Sequence, residues 1–526
     1  MKQQKFKTTL TTLLTTVITL TTPTCTGGFK NLNLHPTNPT EDNLTESERL
    51  GNLFTPLIAT MHYAQENRSQ MIDQMIGNQY GGYMVTTENW EGTNFGTFNP
   101  PGNWVDYPFK TIMVDFNSNF IKIKRVTNSQ GYIYGWATIL RVATMLRVTD
   151  TYGPIPYSQI GTTDTDAIEY DSVQDLYHTM IADLDNSIAA LRSYLADVGQ
   201  GSPMAEYDVV YHGNFSQWIR LANSLKLRMA VRIALADTDY AKKVMEETIS
   251  GTLIDRNADN ALIPTQDNPY CKASHSWKDL AASATLSAYM NGYDDPRRPF
   301  YMTKTFFGAT YRGVRMGVKT VKNMHSNSMY FSKPAFTSTS PLPVFCAAET
   351  AFLKAEAALR GWIPGGETQA KTWYETGIRL SMEQHGAEID DYLEGTSSPE
   401  SYIDILTGQT VSVSTPITVS WADAGTTVNT RLEKIITQKW LANYPLGFES
   451  WCDHRRTGYP QFFPAARNLS SSGYIGTITN TPTRMVRRLP FPESQYQGNG
   501  ENVLKAIRML GGDDAAHTDL WWARKP

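Results

Sequence analysis

Between positions 173 and 195 apolar side chains recur every three or four residues: Val173, Leu176, Tyr177, Met180, Ile181, Leu184, Ile188, Leu191 and Leu195. Only an α-helix gathers that spacing onto one stripe, because a strand would scatter the same residues over both of its faces. Ser172 stands just ahead, with Asp175 three residues on, a pairing that closes a helix N-terminus. A single stripe cannot bury itself, so the pattern demands partner helices. Asn214 with Gln217 opens one of them. Its face carries Phe215, Trp218, Ile219, Ala222, Leu225, Met229 and Ile233, and Arg220, Asn223 and Arg232 punctuate the rest. Upstream, positions 132–148 read as helix until Tyr152-Gly153-Pro154-Ile155-Pro156-Tyr157, where glycine and two prolines force a turn.

A helical hairpin follows over 349–385. Ala351, Ala355, Ala357 and Ala358 lie on its first helix, Arg360-Gly361-Trp362-Ile363-Pro364-Gly365-Gly366 breaks the chain, and Ala370, Trp373, Tyr374, Gly377 and Ile378 lie on its second. Small residues opposite aromatic ones let two antiparallel helices approach closely. The spacing Ala370, Tyr374, Gly377 echoes the second helix of a tetratricopeptide unit, although no fixed period runs along the chain. Long stretches without periodicity remain at about 81–107, 253–344, 386–430 and 458–526. Stretches of that length fold back on a scaffold or carry function. The fold class expected is mainly α: a tetratricopeptide-like scaffold of helix pairs with a loop-rich elaboration.

At 526 residues the chain is long enough for two domains or one extended helical layout. Its net charge of −4 and lack of a basic run exclude the electrostatic footprint of a nucleic-acid binder. At the start, Lys2, Lys5 and Lys7 precede an apolar run of Leu10, Leu13, Leu14, Val17, Ile18 and Leu20, and then Cys25. That order fits a lipoprotein signal peptide over 1–24, with Cys25 as the lipid-bearing residue. Thr22, Pro23 and Thr24 depart from the leucine and small residues that usually precede such a cysteine, and the alternatives are an ordinary secretory peptide or a disordered threonine-rich tail with an incidental cysteine. Positions 25–45, rich in Pro, Gly, Asn and Thr, read as a flexible tether, and 46–526 as the body. Past position 24 no apolar stretch is long enough to span a bilayer, so membrane contact is expected through the lipid alone. Cys271, Cys346 and Cys452 are too few and too far apart for a disulfide framework, and are expected to be buried or inert.

The sequence holds no zinc-protease helix, nucleophile elbow, phosphate loop or dinucleotide fingerprint. No metal, no cofactor and no catalytic residue is expected. Cys271 with His275, and Cys452 with His454, are too isolated to argue a metal site, and Asp513, Asp514 and Asp519 read as a solvated acidic turn. What the irregular stretches do hold is aromatic rings: Tyr80, Tyr83, Trp90, Trp104 and Tyr107 in one, Trp277, Tyr289, Tyr293, Tyr301, Phe306, Phe307, Tyr311 and Tyr330 in another. Flat rings suit the apolar C–H faces of sugars, and Asn94, Arg312 and Arg315 stand near enough in sequence to bond hydroxyls. Most such rings pack loops onto a frame, so a minority is expected to line a site. The candidates are Tyr83, Trp90, Asn94, Trp104, Trp277, Tyr311, Arg315 and Tyr330.

Seven ordered segments carry a resemblance. Cys25-Thr26-Gly27-Gly28-Phe29 with Pro36-Thr37-Asn38-Pro39 forms a tether. Asp150-Thr151-Tyr152-Gly153-Pro154-Ile155-Pro156-Tyr157 forms a turn. Trp218 to Arg228 is a helix, Asp295-Pro296-Arg297 a second turn, and Glu349 with Ala355-Glu356-Ala357-Ala358-Leu359-Arg360-Gly361-Trp362 a hairpin. Lys439-Trp440, Gly447-Phe448-Glu449-Ser450-Trp451 and Arg455-Arg456-Thr457-Gly458-Tyr459-Pro460 form the most specific block, and Arg488-Leu489-Pro490-Phe491-Pro492-Glu493 follows near the end. Together they resemble the SusD/RagB family of nutrient-binding outer-membrane lipoproteins. The resemblance implies a tetratricopeptide-like scaffold, lipid anchoring at the outer membrane and cell-surface exposure. It also implies a partner, a SusC-type TonB-dependent β-barrel transporter, over which the lipoprotein acts as a lid that captures an oligosaccharide without cleaving it. A peptide-binding lid of the same architecture is the alternative, and a surface glycoside hydrolase a more distant one. The ligand-contacting residues of that family follow no motif, so the eight candidates rest on aromatic placement alone.

Overall fold

In the computed structural model, residues 46–162, 167–200, 204–319, 322–423 and 427–524 are described. Cys25, the signal segment and the tether lie outside them. The first helices are α1 (Glu46–Met61), α2 (Gly102–Val126), α3 (Gly131–Tyr152), α4 (Val173–Val198), α5 (Phe215–Ile233) and α6 (Thr238–Ile249). The capping signals work as read: Ser172 Oγ accepts the Asp175 N–H at 3.1 Å, and Asn214 Oδ1 accepts that of Gln217 at 3.4 Å. Helices α3 and α4 pack tightly because Gly135 faces the second of them. A Cβ there would meet Ala190 Cβ and the Ser187 carbonyl at 3.3 Å.

The chain continues through α7 (Ala284–Gly292), the hairpin of α8 (Ala347–Leu359) and α9 (Gly366–His385), then α10 (Val428–Ala442), α11 (Gly447–Thr457) and α12 (Glu493–Leu510). Gly377 of α9 sits on the Phe352 ring of α8, where a Cβ would lie 2.7 Å from ring carbons. The mainly helical architecture is as expected. Several helices nevertheless lie in stretches read as irregular, among them α7, α12 and the first turns of α2. Strands are few. β1 (Met84–Thr86) pairs antiparallel with β3 (Leu280–Ala282), β2 (Ala261–Ile263) with β4 (Leu342–Phe345), and β5 (Tyr402–Ile403) with β6 (Thr410–Val411). In the first ladder Met84 faces Ala282, Val85 faces Ala281 and Thr86 faces Leu280. From Leu50 onward these elements cluster as one unit around a shared apolar core.

The motif residues converge on a buried ionic network. Arg228 of α5 makes a two-pronged contact with Glu349 of α8 (2.8 and 2.7 Å) and reaches Glu449 of α11 at 3.4 Å. Arg232 binds Asp150 and Glu449. Lys439 of α10 bonds Asp453 at 2.8 Å, and Arg456 joins Asp453 (3.1 Å) to Glu356 (2.7 Å). Burial alone would raise the Asp453 carboxyl. Lys439 and Arg456 outweigh it and hold that group at about 2. A second knot forms at the Asp295-Pro296-Arg297 turn. There the fully buried Arg297 binds Asp295, Ser381 Oγ, Tyr392 OH and Gln438 Oε1. Fully desolvated pairs contribute little net stability over apolar packing, yet breaking one strands a charge. They fix which helix faces which.

Candidate functional site

The loops that carry the candidates leave the β1–β3 ladder from one end. Just beyond Thr86, the Thr87 N–H donates to the Asp279 carbonyl (2.7 Å) and Thr87 Oγ1 to the Lys278 carbonyl (2.8 Å). Trp90 follows three residues after Thr87, and Trp277 precedes Lys278. The 303–333 segment docks on the same ladder. The Ala282 N–H donates to the Ser332 carbonyl at 3.0 Å, the Ser332 N–H to that of Arg312 at 2.7 Å, and the Val314 N–H to that of Ala282 at 2.8 Å.

The structure divides the eight candidates. Trp90 and Trp104 meet edge to face at 5.5 Å, both half-buried, with Phe95 stacked beneath Trp104 at 6.2 Å. Trp277 is half-buried and takes the Lys272 ammonium over its ring at 5.9 Å. Tyr311, also half-buried, lies under Arg298 (5.4 Å) and Lys304 (5.6 Å). Tyr330 packs on Phe307 at 5.7 Å, and Phe307 on Phe306 at 5.4 Å. Tyr330, Phe307 and Phe306 form a contiguous loop face, and Trp104 stands on the first turn of α2.

Tyr83, Asn94 and Arg315 serve the frame instead. Tyr83 is fully buried, stacks on Trp440 (5.6 Å, 9°) and donates its hydroxyl to the Trp440 carbonyl at 2.5 Å. Asn94 is buried and caps a short 3₁₀ turn by accepting the Thr97 N–H at 3.1 Å. Arg315 Nε binds the Pro464 carbonyl at 3.0 Å, closing the 464–469 segment onto the 303–333 segment. Burial lowers its pKa below the usual guanidinium range. Close contact at this seam requires glycine. At Gly317 (φ +76°) a Cβ would meet the Gly96 carbonyl oxygen and Ala465 Cβ, both at 3.0 Å.

Two residues outside the eight are the most outward rings of the face: Phe306, 76% exposed, and Phe307, 51% exposed, beside Met329 at 43%. The signal for them is the doublet itself, two phenylalanines before Gly308 in a stretch with no apolar periodicity. An exposed apolar cluster of this kind marks a contact surface. Enclosed space lies elsewhere among the described residues. A hollow of about 30 Å³ beside Asp73, Arg147, Arg228 and Glu449 holds no more than a water or two. A hollow of about 210 Å³ between Leu262, Phe300, Phe336, His385 and Tyr444 is smaller than pockets for drug-sized ligands, roughly 300–1,000 Å³.

No group of three or more His, Cys, Asp or Glu among the described residues is placed to hold a metal ion. Cys346 and Cys452 are buried free thiols that burial pushes up to about 12, and Cys271 is a half-buried free thiol. None of the three has the lowered pKa of a reactive thiol.

Helix pairs that carry an aromatic loop face define a class of helical scaffold proteins, and the comparisons narrow it. The model of the SusD-like family, described as SusD and RagB outer membrane lipoprotein, matches residues 31–523. A SusD homologue from Bacteroides uniformis superposes with a TM-score of 0.83 at 36% identity, covering 92% of this chain and 100% of that one. One from Bacteroides thetaiotaomicron gives 0.84 at 34%, covering 91% and 99%. A chitin-binding SusD homologue from Flavobacterium johnsoniae gives 0.84 at 33%, also covering 91% and 99%. A search of curated protein sequences found no match. The chain belongs to the SusD-like family of outer membrane lipoproteins. None of the described helices is long and apolar enough to cross a membrane.

Proposed function

We propose that this protein is a non-catalytic glycan receptor. It is anchored in the outer membrane by lipid on Cys25 at the end of a 25–45 tether and is displayed at the cell surface. It captures oligosaccharides on its loop face and closes with them over a SusC-type TonB-dependent transporter. The observation that carries the reading is the outward aromatic face: Phe306 and Phe307 exposed, Tyr330 packed on Phe307 at 5.7 Å, and Trp277 and Tyr311 half-buried in the same irregular stretch. Rings held this way present flat apolar surfaces at little further entropic cost, which suits stacking against sugar rings. The chitin-binding relative supports a glycan over a peptide as the ligand class. Opening and closing would be driven by the ligand's differential affinity for the closed state.

Calorimetry of the protein against an oligosaccharide panel tests this, with Trp277→Ala and Tyr330→Ala alongside. Each truncation is expected to weaken binding about 5- to 100-fold, by analogy with ring–ring stacking losses of roughly 1–3 kcal/mol. Equal affinity in both variants would remove these rings from the site, and binding of extended peptides but no oligosaccharide would overturn the glycan reading.

A further inference from the structure

A third hollow opens between the α2–α3 turn, the start of α3 and the middle of α4, with a volume of about 280 Å³. Helix α2 has 25 residues, so at 1.5 Å per residue its two ends lie about 35 Å apart, with Trp104 at one and this hollow at the other. Small residues on the seam make the space. Gly135 and Ser187 are buried in the lining, and Ala190 contributes only a methyl.

The polar groups here suit a hydroxylated guest. Thr138 in the lining is 3% exposed, and its hydroxyl has no hydrogen-bond partner among the described residues. A buried hydroxyl left unpaired costs free energy that a bound partner recovers. Asp183 carries the one charge among the lining residues. Its Oδ2 accepts the Tyr157 hydroxyl at 2.6 Å, and its Oδ1 makes no bond among the described residues. The side-chain amides of Gln130 and Asn186, on the exposed rim, are equally unbonded among those residues. Tyr134, half-buried and held against Phe120 at 5.8 Å, adds an aromatic surface.

Charge argues against an ion of either sign. An anion would meet the Asp183 carboxylate. A cation would meet a positive surround: the Arg141 guanidinium lies 3.7 Å over the Tyr157 ring whose hydroxyl binds Asp183, and the N-terminus of α3 stands at the rim with no side-chain cap. Burial raises the Asp183 carboxyl, against the Tyr157 hydroxyl, Arg141 and Lys124. A neutral group rich in hydroxyls satisfies all of these, since each hydroxyl donates to a carboxylate and accepts from an amide, while its C–H face packs on a ring.

We propose that this hollow is a second sugar site, which takes one neutral pyranose unit between Gln130, Thr138, Asp183 and Asn186. It goes beyond the loop-face reading and stands without it.

Saturation-transfer NMR with methyl pyranosides at millimolar concentration (glucoside, galactoside and N-acetylglucosaminide) tests it, on the parent and on a Trp277→Ala/Tyr330→Ala protein. At least one pyranoside is expected to bind both proteins alike. Thr138→Val removes the unpaired hydroxyl at nearly constant shape and should weaken binding about 3- to 10-fold, with the unfolding midpoint of the free protein level or raised. Asp183→Asn keeps an acceptor for Tyr157 and should weaken binding about tenfold. Ala190→Met fills the hollow and should abolish binding at an unchanged midpoint. Methyl glucuronide, which adds a carboxylate, should bind more weakly than methyl glucoside. Signal that persists undiminished in Thr138→Val and Ala190→Met, or that vanishes in the Trp277→Ala/Tyr330→Ala protein, overturns the inference and leaves the glycan reading standing. So does tighter binding of the glucuronide, or oligosaccharide binding at the loop face with no pyranoside held here. Pyranoside held here with no oligosaccharide at the loop face supports the inference and overturns the loop-face reading.

Discussion

Replacing Arg297 by methionine tests whether the motif turns act as ionic clamps. The guanidinium is fully buried and makes two bonds to Asp295 (2.9 and 2.7 Å), one to Ser381 Oγ (2.9 Å), and one each to Tyr392 OH and Gln438 Oε1 (3.0 Å each). Methionine fills the stem volume and removes every one. Asp295, also fully buried, is left with the Tyr392 hydroxyl at 2.7 Å as its one side-chain donor. Stranding a buried charge this way costs about 3–5 kcal/mol, against a stability of about 5–15 kcal/mol for an ordinary domain. Adding Asp295→Asn removes the stranded charge and should return about 1–3 kcal/mol. The pH dependence carries the sign. In the parent, burial raises the Asp295 carboxyl but Arg297 outweighs it and holds the group below its usual range. The pair therefore stabilises the fold at neutral pH and loses that contribution as pH falls through the depressed value. In Arg297→Met burial is opposed only by the Tyr392 hydroxyl and the residue-297 N–H, and the carboxyl is expected to rise above its unfolded value. Its penalty is then largest at neutral pH and shrinks on acidification. Urea unfolding followed by tryptophan fluorescence at several pH values reads both effects. The reasoning is refuted if Arg297→Met lies within about 1 kcal/mol of the parent, or if the double variant is no more stable than the single one.

Two further outcomes follow from groups the fold buries. His454, stacked on Phe462 at 4.4 Å, is lowered by burial first and then by Arg487 to about 3, from 6.5. Its neutral form is the folded one, so its contribution is complete above pH 6.5 and is lost as pH falls from there toward 3, at up to about 1.4 kcal/mol per pH unit. His454→Asn should flatten urea midpoints between pH 6.5 and 4.5, and an unchanged slope would show that this histidine is not the group responsible. Tyr83→Phe deletes one buried hydrogen bond and should cost about 1 kcal/mol of stability with oligosaccharide affinity unchanged. Weakened binding at parental stability would return Tyr83 to the site.

The helices most legible in the sequence carry local signals. Ser172 and Asn214 act on groups three residues away, and Gly377 faces Phe352 across one hairpin. Helices α2 and α12 were hidden by residues that argue against helix. Pro108 lies inside α2, and Gly498 and Gly500 lie in α12 beside Asn499, whose backbone departs from helical geometry. Packing overrides propensity at such places. The site divides along the same line. That a loop is rich in rings is a local fact, but which ring turns inward is not. Tyr83 points in because its partner Trp440 arrives from 357 positions away. Asn94 looks like a ligand contact until its short reach to the Thr97 N–H is known, the competition expected of asparagine near turns. The buried ionic network is the hardest part to foresee, since Glu349 for Arg228, Asp453 for Lys439 and Glu356 for Arg456 all arrive from other helices.

The β1–β3 ladder is three residue pairs long, yet it joins chain segments almost two hundred positions apart in the sequence. The departures of the Trp90 and Trp277 loops are set by that short seam and by Thr87, not by the intervening helices. Whatever is inserted or trimmed between them elsewhere leaves the origin of both loops in register. In the proposed receptor, the side chains next to the seam are the place to change which polymer is gripped while the helical chassis stays as it is.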